Sequence, residues 1–451
     1  MKKIYDIVGV GFGPSNLALA AAISETKQSN LTALFLEKEP IFTWHKNMLL
    51  DNADMQISFL KDIATLRNPS SPYTFLNYLH EQGRLSSFIN LKSFYPSRIE
   101  FNDYFLWVAN KLKRYVQYNS YVVDIIPYGN KPFRLLKVII DNPQTGRLSI
   151  ITKNVVIATG GSPIIPNFVT RAPNSQRIWH TADYLANIAK FKNNTACPYH
   201  FSVIGRGQSA AEIAYDLHTN FPNATITCVH RHFGYKSVDE SQFSNEIFDT
   251  AAVDLFYSAP AELRNKFLNA YQDTNYSVVD SELLEKLYKI KYEESVLKKE
   301  RLKYMGFSSI ARILEKEHKV EIAVESLLHT DVVETLSVDA AILATGYQFQ
   351  NPSVLLSSMA DYFIYCDAGL PEINRHYRLS TTSQLLAGIY TQGCNERTHG
   401  LTDTLLSIGA LRAQEILQQI ESSNDANAVT TLKTTSVSGY ARGAIAENGL
   451  Y

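Results

Sequence analysis

The chain has 451 residues, and its 43 basic and 44 acidic side chains nearly cancel to a formal net charge of −1. This length predicts two or three domains of about 150 residues each, and a hydrophobic content of 45% is enough for a large core. The balanced charge gives no reason to expect a nucleic-acid partner. Because no apolar stretch is long enough to span a bilayer, we expect no integral membrane segment.

The N-terminus begins with a lysine-flanked apolar run that is similar to a signal peptide. Asp6 and several glycines interrupt this run, which predicts a strand and a glycine turn rather than a cleaved segment. The cysteines Cys197, Cys228, Cys366 and Cys394 form no CxxC pair. We therefore expect no metal site, no dithiol redox centre, and a reducing cytoplasm as the location.

The first predicted element is a buried strand over residues 4–8, followed by a helix to Ile23 and a strand over residues 31–36 that ends at Glu37. The turn before the helix contains Gly9, Gly11, Gly13 and Pro14. This order is typical of a dinucleotide-binding unit, whose glycines let the backbone approach a pyrophosphate at the helix N-terminus. Glu37 can accept from both ribose hydroxyls and would repel a 2′-phosphate. Because Pro14 stands where a third glycine is usual, a purely structural turn is the alternative.

A second unit of the same kind has a strand over residues 201–204, a helix, and a strand over residues 225–229. Its turn contains Gly205, Gly207, Gln208 and Ser209. Arg231 follows the second strand between two histidines and can bind a 2′-phosphate, unless it is only a solvated surface residue. An acid in the first unit and basic side chains in the second indicate FAD and then NADPH as cofactors.

Two further strands are predicted at residues 154–161 and 340–347, where β-branched runs stop at Thr-Gly. In flavoproteins with two dinucleotides such strands connect the FAD and NADPH domains, so the NADPH unit is an insertion. Residues 281–318 are charged and predicted to be helical with one buried face. The residues at core spacing are Leu283, Leu284, Leu287 and Tyr288.

The predicted fold class is α/β, with two Rossmann-like dinucleotide-binding domains and a small, mostly helical substrate-binding region. The FAD domain is predicted in two parts, and the NADPH domain is inserted between them. The predicted ranges are 1–165 and 346–421 for the FAD domain, 190–235 and 300–345 for the NADPH domain, 236–299 for the substrate region, and 422–451 for a flexible tail.

Several longer motifs distinguish this chain from other flavoproteins, since neither a dithiol pair nor a Phe-x-Gly-x-x-x-His signature is present. The motifs are Trp44-His45, Met55-Gln56-Ile57-Ser58-Phe59-Leu60-Lys61-Asp62, Tyr95-Pro96-Ser97-Arg98, Asn245-Glu246-Ile247-Phe248, Thr274-Asn275-Tyr276-Ser277-Val278-Val279 and Asn395-Glu396-Arg397-Thr398-His399-Gly400-Leu401. In these motifs nearly the whole chain resembles the ornithine and lysine N-hydroxylating monooxygenases of siderophore biosynthesis.

The resemblance implies which residues contact the cofactors. These are Trp44, His45, Met55, Gln56, Ser209, Arg231, Tyr276 and Leu405. Gln56 is expected beside the flavin and nicotinamide rings, and Arg98 is expected to position the reduced cofactor. The alternatives are that Met55 fills the core and that Arg98 is structural.

The resemblance also implies how the substrate is held. Lys61 and Asn275 would bind the carboxylate and α-amino end, whereas Asn245, Ser407 and the backbone near Leu405 would bind the reacting amine. A salt bridge to another side chain is the alternative for Lys61. In the family, NADPH reduces FAD, dioxygen forms a C4a-hydroperoxyflavin, and the neutral amine attacks it. Because a carboxylate would favour the ammonium form, we predict that no Asp or Glu contacts the reacting nitrogen.

The substrate favoured by these motifs is L-ornithine, because Lys61 and Asn275 together suit an amino acid. L-Lysine, putrescine, cadaverine and histamine stay open, and Asp273 departs from the asparagine usual in ornithine enzymes. An NADPH oxidase that makes hydrogen peroxide and a nucleotide-sensing binding protein are the rival functions. The resemblance implies a homo-oligomer, namely a tetramer.

Overall fold

Two sheets built largely of parallel strands form the centre of the molecule, a computed structural model that describes residues 3–26, 31–171, 175–271, 274–329, 331–349 and 352–429. Asp273, the predicted departure from the family pattern, lies outside the described residues. In the described part of the chain, no helix has both the length and the apolar character needed to cross a membrane.

The strands are numbered in chain order. They are β1 (Ile4–Val10), β2 (Ala33–Leu36), β3 (Val116–Gln117), β4 (Tyr121–Tyr128), β5 (Leu135–Asn142), β6 (Gly146–Ile157), β7 (Gly161–Pro163), β8 (Val169–Thr170), β9 (Ile178–His180), β10 (His200–Ile204), β11 (Thr225–Val229), β12 (Leu302–Met305), β13 (Ser308–Glu315), β14 (Val320–Ser326), β15 (Val333–Val338), β16 (Ala340–Leu343), β17 (Tyr347–Phe349) and β18 (Gly388–Thr391).

The α-helices are numbered in the same way. They are α1 (Pro14–Glu25), α2 (Phe75–Glu81), α3 (Leu85–Leu91), α4 (Arg98–Lys111), α5 (Tyr184–Ile188), α6 (Gln208–Asn220), α7 (Gln242–Asn245), α8 (Thr250–Ser258), α9 (Ala261–Ala270), α10 (Ser281–Leu297), α11 (Glu396–His399) and α12 (Gly409–Val429). Short 3-10 helices at Phe59–Lys61 and Leu401–Thr404 also bear on the site.

The first sheet has the order β3-β2-β1-β6-β5-β4, and β18 pairs with the C-terminal half of β6. β1 runs parallel to β2 and β6, whereas β4, β5 and β6 form an antiparallel meander. Ile7 and Val8 of β1 are fully buried, as expected for a strand covered on both faces. The predicted strand–turn–helix–strand order of the first unit is confirmed, with α1 packed against α12.

The second sheet has the order β12-β11-β10-β16-β9, and all of its strands are parallel. Its core contains Phe201, Ala210 and Leu217 from the second unit together with Met48 and Leu50 from the first part of the chain. The predicted strand at residues 225–229 is confirmed at the same bounds. The order of strands places the turns after β1 and β10 at equivalent positions of two similar units.

The two predicted Thr-Gly strand endings connect the sheets. β6 and β16 each end just before an Ala-Thr-Gly turn, and β7 and β17, which follow these turns, pair as an antiparallel ribbon. The chain therefore leaves the first sheet through β6 and β7, and it returns through β16 and β17 before β18 rejoins the first sheet. A further sheet, β15-β14-β13-β8, is formed by strands that lie between β7 and β16 in the chain.

Two expectations for the remainder differ from the structure. The predicted helix over residues 281–318 ends at Leu297, and the stretch after it forms β12 and β13 because β12 completes the second sheet beside β11. On α10, Leu283 and Leu287 are buried, but Tyr288 is 70% exposed because it lies off the face that packs on the core. α12 continues to Val429, beyond residue 422 where a loose tail was expected, and residues 430–451 lie outside the described ranges.

Replacing Gly205 by alanine should lower the free energy of unfolding by about 2 kcal/mol or more. The backbone φ of Gly205 is +138°, and an added Cβ would lie 2.3 Å from the carbonyl oxygen of Ala344. Urea unfolding monitored by fluorescence measures the change. Gly234→Ala is the matched control, because no heavy atom lies within 4 Å of its added Cβ. Equal unfolding midpoints for the two variants would contradict this account.

Candidate active site

The first glycine turn combines two tightly packed glycines with an open one. A Cβ on Gly9 would lie 2.1 Å from the Phe35 ring, and a Cβ on Gly11, whose φ is +85°, would lie 2.5 Å from the Ala158 carbonyl oxygen. No heavy atom lies within 4 Å of a Cβ on Gly13. Gly13 is the N-cap of α1, Pro14 is its first residue, and no side chain caps this helix end. The open N-terminus therefore fits a pyrophosphate.

Glu37 lies one residue beyond β2, at the same edge of the sheet. Its carboxylate accepts hydrogen bonds from the backbone amides of Phe12, at 2.7 Å, and Glu39, at 3.0 Å. These bonds fix the carboxylate beside the glycine turn and leave lone pairs on both oxygens for ribose hydroxyls. The residues present thus fit an FAD whose ribose carries no 2′-phosphate.

The second glycine turn leads into α6, which begins at Gln208, with Gly207 as its N-cap and no side-chain cap. Ser209 lies in the first turn of this helix, and Arg231 lies exposed just beyond β11. Both helix end and guanidinium are thus accessible to a nucleotide.

A further arginine, Arg206, which the sequence motifs gave no role, lies beside His230 at this edge of the second sheet. Arg206 follows β10, His230 follows the adjacent β11, and Gly205 donates to the Val229 carbonyl between them at 3.1 Å. Arg206 Nε and His230 Nε2 are buried atoms without a hydrogen-bond partner in the described structure. Burial lowers the pKa of His230, and its Nδ1 lies 2.8 Å from the His232 carbonyl oxygen, so the neutral ring carries its proton on Nδ1 and Nε2 is an acceptor. Arg206 is therefore the second guanidinium at this edge, with Arg231, that can donate to the phosphate of a 2′-phosphorylated nucleotide. The arginine within Gly-Arg-Gly was the available signal.

The segment from Trp44 to Met55 borders the first unit. The Trp44 and His45 rings meet edge to face with centroids 4.6 Å apart, and His45 has a positive φ of 49°. Met55 is buried in the first core, whereas the next residue, Gln56, is exposed. The side-chain amide of Gln56 is therefore accessible to a ligand, while the buried Met55 side chain holds the segment against the first core.

Lys61 ends a 3-10 helix, and the buried carboxylate of Asp62 follows it and holds the turn beyond. That carboxylate accepts hydrogen bonds from the amides of Ala64, Thr65 and Phe75 and from the Thr65 hydroxyl, at 2.6–2.8 Å. Lys61 is half-buried, and no carboxylate among the described residues lies within ion-pairing distance of it. The narrow pocket beside it is also lined by Pro14, Ser15, Leu405, Leu406, Gly409 and Arg412. The ammonium group of Lys61 is therefore available to a ligand at the N-terminus of α1.

A buried polar network, which no sequence motif predicted, anchors the C-terminal part of the site. Arg412 donates to the Asp403 carbonyl at 2.5 Å, to Gln392 Oε1 at 3.1 Å and to Ser15 Oγ at 3.0 Å. Asp403 in turn accepts from the amide of Asn395 at 2.6 Å. The segment between Asp403 and Arg412 is thereby fixed against the start of α1.

Ser407 lies in this anchored segment and is 2% exposed. Its hydroxyl is buried and has no hydrogen-bond partner within the described part of the chain. Leu405, two residues earlier, lines the same pocket as Lys61. An unsatisfied buried hydroxyl next to this pocket fits a polar group of a bound molecule.

The helical region contributes Asn245, Asn275 and Tyr276. The Tyr276 hydroxyl donates to Glu396 Oε2 at 2.5 Å and lies 3.0 Å from Thr404 Oγ1, which brings this region to the anchored segment. Burial raises the pKa of the Glu396 carboxyl. Asn275 is half-buried beside Tyr276.

Asn245 is placed less directly than the other predicted substrate residues. Its side chain is exposed and donates to the Glu240 carbonyl at 3.1 Å. The 3-10 helix that follows it, Glu246–Phe248, packs against the 3-10 helix Leu401–Thr404. Asn245 therefore lies near the segment that carries Leu405. No described hydrogen bond connects its amide to Lys61 or Ser407.

Arg98, the first residue of α4, connects the two units. Its guanidinium donates two parallel hydrogen bonds to the Glu212 carboxylate of α6, at 2.6 and 2.9 Å, and one to the Met48 carbonyl at 3.2 Å. Both side chains are largely buried. Arg98 thus ties the first unit to α6 of the second unit.

The fold and these two nucleotide turns define a flavoprotein oxidoreductase with two dinucleotide sites. A family model described as L-lysine 6-monooxygenase/L-ornithine 5-monooxygenase matches residues 3–349. The chain therefore belongs to this monooxygenase family, as the motifs predicted, and the predicted α/β fold with two Rossmann-like units is confirmed.

Individual relatives are similar over more than nine-tenths of their length. The L-ornithine N(5)-monooxygenase of Pseudomonas aeruginosa is 40% identical over 417 residues, covering 92% of this chain and 93% of the relative. The structure of the ornithine N-hydroxylase of Kutzneria sp. 744, with reduced FAD, NADP⁺ and L-ornithine, has a TM-score of 0.90 and 37% identity, covering 94% of this chain and all of that one. The FAD-bound cadaverine monooxygenase of Erwinia amylovora has a TM-score of 0.82 and 26% identity, covering 93% and 95%.

Replacing Gly13 by alanine should weaken FAD binding by about tenfold or more, equivalent to at least 1.4 kcal/mol. The added methyl group would project into open space at the N-terminus of α1 and meet nothing in the protein itself. Flavin absorbance per mole of purified protein, and titration of apoprotein with FAD, measure the effect. Thermal unfolding of the apoprotein should stay nearly unchanged, and a variant that retains full flavin would count against this site.

Proposed function

We propose that the chain hydroxylates the side-chain nitrogen of L-ornithine, using FAD, NADPH and dioxygen, and supplies the hydroxylamine for siderophore biosynthesis. The observation that carries the choice of substrate is Lys61, a half-buried cation without a carboxylate partner in the described structure, beside the N-terminus of α1 and Leu405. A free substrate carboxylate satisfies this charge. The similarity to ornithine enzymes over more than nine-tenths of the chain supports the same choice.

The cofactors would occupy the two glycine turns. The N-terminus of α1 and Glu37 would hold FAD, and the N-terminus of α6 with Arg231 and Arg206 would hold NADPH. Bound FAD, reduced by NADPH, supplies the chemistry that transfers one atom of dioxygen to the amine, while the other atom leaves as water. The protein contributes placement of the amine and exclusion of water.

The reacting amine must be neutral to act as a nucleophile, although a free alkyl amine has a pKa of about 10.4. Removal from water lowers that pKa, whereas a nearby carboxylate would raise it. Three carboxylates around the Leu405 segment are engaged by donors of the protein: Glu396 by Tyr276, Asp403 by Asn395 and Arg412, and Asp62 by backbone amides and the Thr65 hydroxyl. We infer that Asn245 and Ser407 bind the nitrogen as neutral groups, which orient it without favouring the ammonium form.

Other amines are the alternatives. The similarity to a cadaverine monooxygenase keeps diamines open, and lysine and histamine are further candidates. A hydroxylamine assay with NADPH across ornithine, lysine, putrescine, cadaverine and histamine tests the proposal. We expect the highest kcat/KM for ornithine; a higher value for any other amine would replace the substrate. NADPH oxidation that yields only hydrogen peroxide with every amine would replace N-hydroxylation by oxidase activity.

We also propose a cytoplasmic homo-oligomer, with a tetramer as the assembly implied by the family resemblance. All four cysteines are free thiols, which suits a reducing compartment. Light scattering of the purified protein after size-exclusion chromatography measures the assembly.

Replacing Lys61 by alanine should raise KM for ornithine by about 10- to 100-fold, because a hydrogen bond to a charged group contributes about 1.5–3 kcal/mol. Anaerobic bleaching of the flavin by NADPH should proceed at a nearly unchanged rate, because the Lys61 ammonium group is proposed to bind the substrate carboxylate; a loss of bound flavin would instead assign Lys61 to the pyrophosphate at the N-terminus of α1. Putrescine is the matched control substrate: it lacks the carboxylate, so its KM should change little. An unchanged KM for ornithine would exclude the carboxylate role.

A further inference from the structure

Glu212 is a buried carboxylate for which the proposed roles provide no use. It lies in the second turn of α6, with a side chain that is 3% exposed. Its two oxygens accept the paired hydrogen bonds of Arg98 at 2.6 and 2.9 Å. Burial of an ion pair is costly and by itself is weak grounds for a stabilising role, so the pair calls for a functional explanation.

The two partners belong to different units of the molecule. Arg98 begins α4, whose Phe101 and Phe105 pack in the first core, whereas Ala210 and Ala211 in the first turn of α6 pack in the second core. The Arg98 amide also donates to the Ala53 carbonyl at 2.8 Å. The fork between Arg98 and Glu212 therefore fixes the orientation of α6 relative to the first unit.

Glu212 also holds the N-terminus of α6 itself. Gln208, the first residue of the helix, donates to Glu212 Oε1 at 3.0 Å and to Asp280 Oδ2 at 3.2 Å. Gln208 Oε1 accepts a hydrogen bond from the Asp280 amide at 2.9 Å, and Asp280 caps α10. The carboxylate of Glu212 thus joins α4, the pyrophosphate-facing end of α6 and the start of α10 in one hydrogen-bonded network.

We propose that Glu212 is a positioning residue for the nicotinamide nucleotide: through Arg98 and Gln208 it sets the placement of NADPH and NADP⁺ against the flavin. This inference rests on the proposed function, in which the N-terminus of α6 binds the nucleotide. Two parallel charge-assisted hydrogen bonds from a planar guanidinium fix both the distance and the orientation between α4 and α6, whereas a single contact would fix only the distance. If this orientation is lost, hydride transfer and retention of NADP⁺ become weaker, whereas binding of the amine is unaffected.

The test is Glu212→Gln, which keeps the side-chain shape but removes the charge and one acceptor oxygen. We expect KM for NADPH to rise and anaerobic flavin reduction by NADPH to slow, each by about tenfold. Retention of NADP⁺ during turnover should fall, so that a larger share of oxidised NADPH yields hydrogen peroxide instead of hydroxylamine. KM for ornithine should stay nearly unchanged, and Glu212→Asp, which restores the charge, should recover part of the lost NADPH affinity.

Glu25→Gln is the matched control. Arg67 binds Glu25 through a similar fork, at 2.8 and 3.0 Å and with comparable burial, but both residues lie in the first unit away from α6. Glu25→Gln should lower thermal stability and leave KM for NADPH unchanged. If Glu212→Gln changes only stability, as Glu25→Gln does, Glu212 is structural and the proposal fails.

The failure of the proposed function would look different. In that case the wild-type protein would not form hydroxylamine, although dithionite would still reduce any bound flavin. If Glu212→Gln does not fold, Glu212→Asp carries the test: the proposal then requires a raised KM for NADPH at unchanged KM for ornithine, and wild-type values for both would overturn it.

Discussion

The architecture depends on one close backbone contact that occurs twice. In each unit a glycine in the turn after the first strand lies against the carbonyl of an alanine that follows a neighbouring parallel strand: Gly11 against Ala158, and Gly205 against Ala344. Both alanines are followed by Thr-Gly and then by a strand of the connecting ribbon. The repeated Ala-Thr-Gly ending thus has a physical reason. The same contact shapes each nucleotide turn and directs the chain out of its sheet, so that cofactor binding and the connection between units share one structural element.

The C-terminal return completes the first site with residues from the far end of the chain. Through Arg412, Asp403 and Gln392, the segment that carries Leu405 and Ser407 is tied to Ser15 and Asn16 in the first turn of α1. The helix N-terminus proposed to bind a pyrophosphate and the segment proposed to bind an amine are therefore joined by one hydrogen-bonded network. Motion between them would spoil the alignment of cofactor and substrate, and the burial of this network away from water strengthens its hydrogen bonds.

The parts that the sequence could predict are those governed by local rules. Glycine turns between a buried strand and a helix, an acid at one strand end and an arginine at the other are each short-range signals, and the strands and helices of both units follow them. The failures are of another kind. Charged residues suggested a helix after Leu297, but the open edge of β11 imposed a strand on Leu302–Met305 instead. Tyr288 has helical spacing yet faces away, since periodicity cannot tell which of two apolar edges meets the core.

Hydrogen bonds and ion pairs between distant segments could not be predicted either, because local sequence patterns do not show which segments meet in the fold. Nothing in the sequence near Arg98 indicates that Glu212 accepts its guanidinium 114 positions later, or that Arg412 reaches back 397 positions to Ser15. Such pairs determine which charged side chains have a partner within the protein and which can bind a ligand. Glu212, Glu396, Asp403 and Asp62 are all engaged by donors of the protein, whereas Lys61 has no carboxylate partner in the described chain. In the proposed arrangement the site would offer the positive charge of Lys61 to one end of a ligand and the neutral groups of Asn245 and Ser407 to the other. That asymmetry favours a molecule with a carboxylate at one end and an uncharged amine at the other, since a free carboxylate beside the amine would hold it protonated.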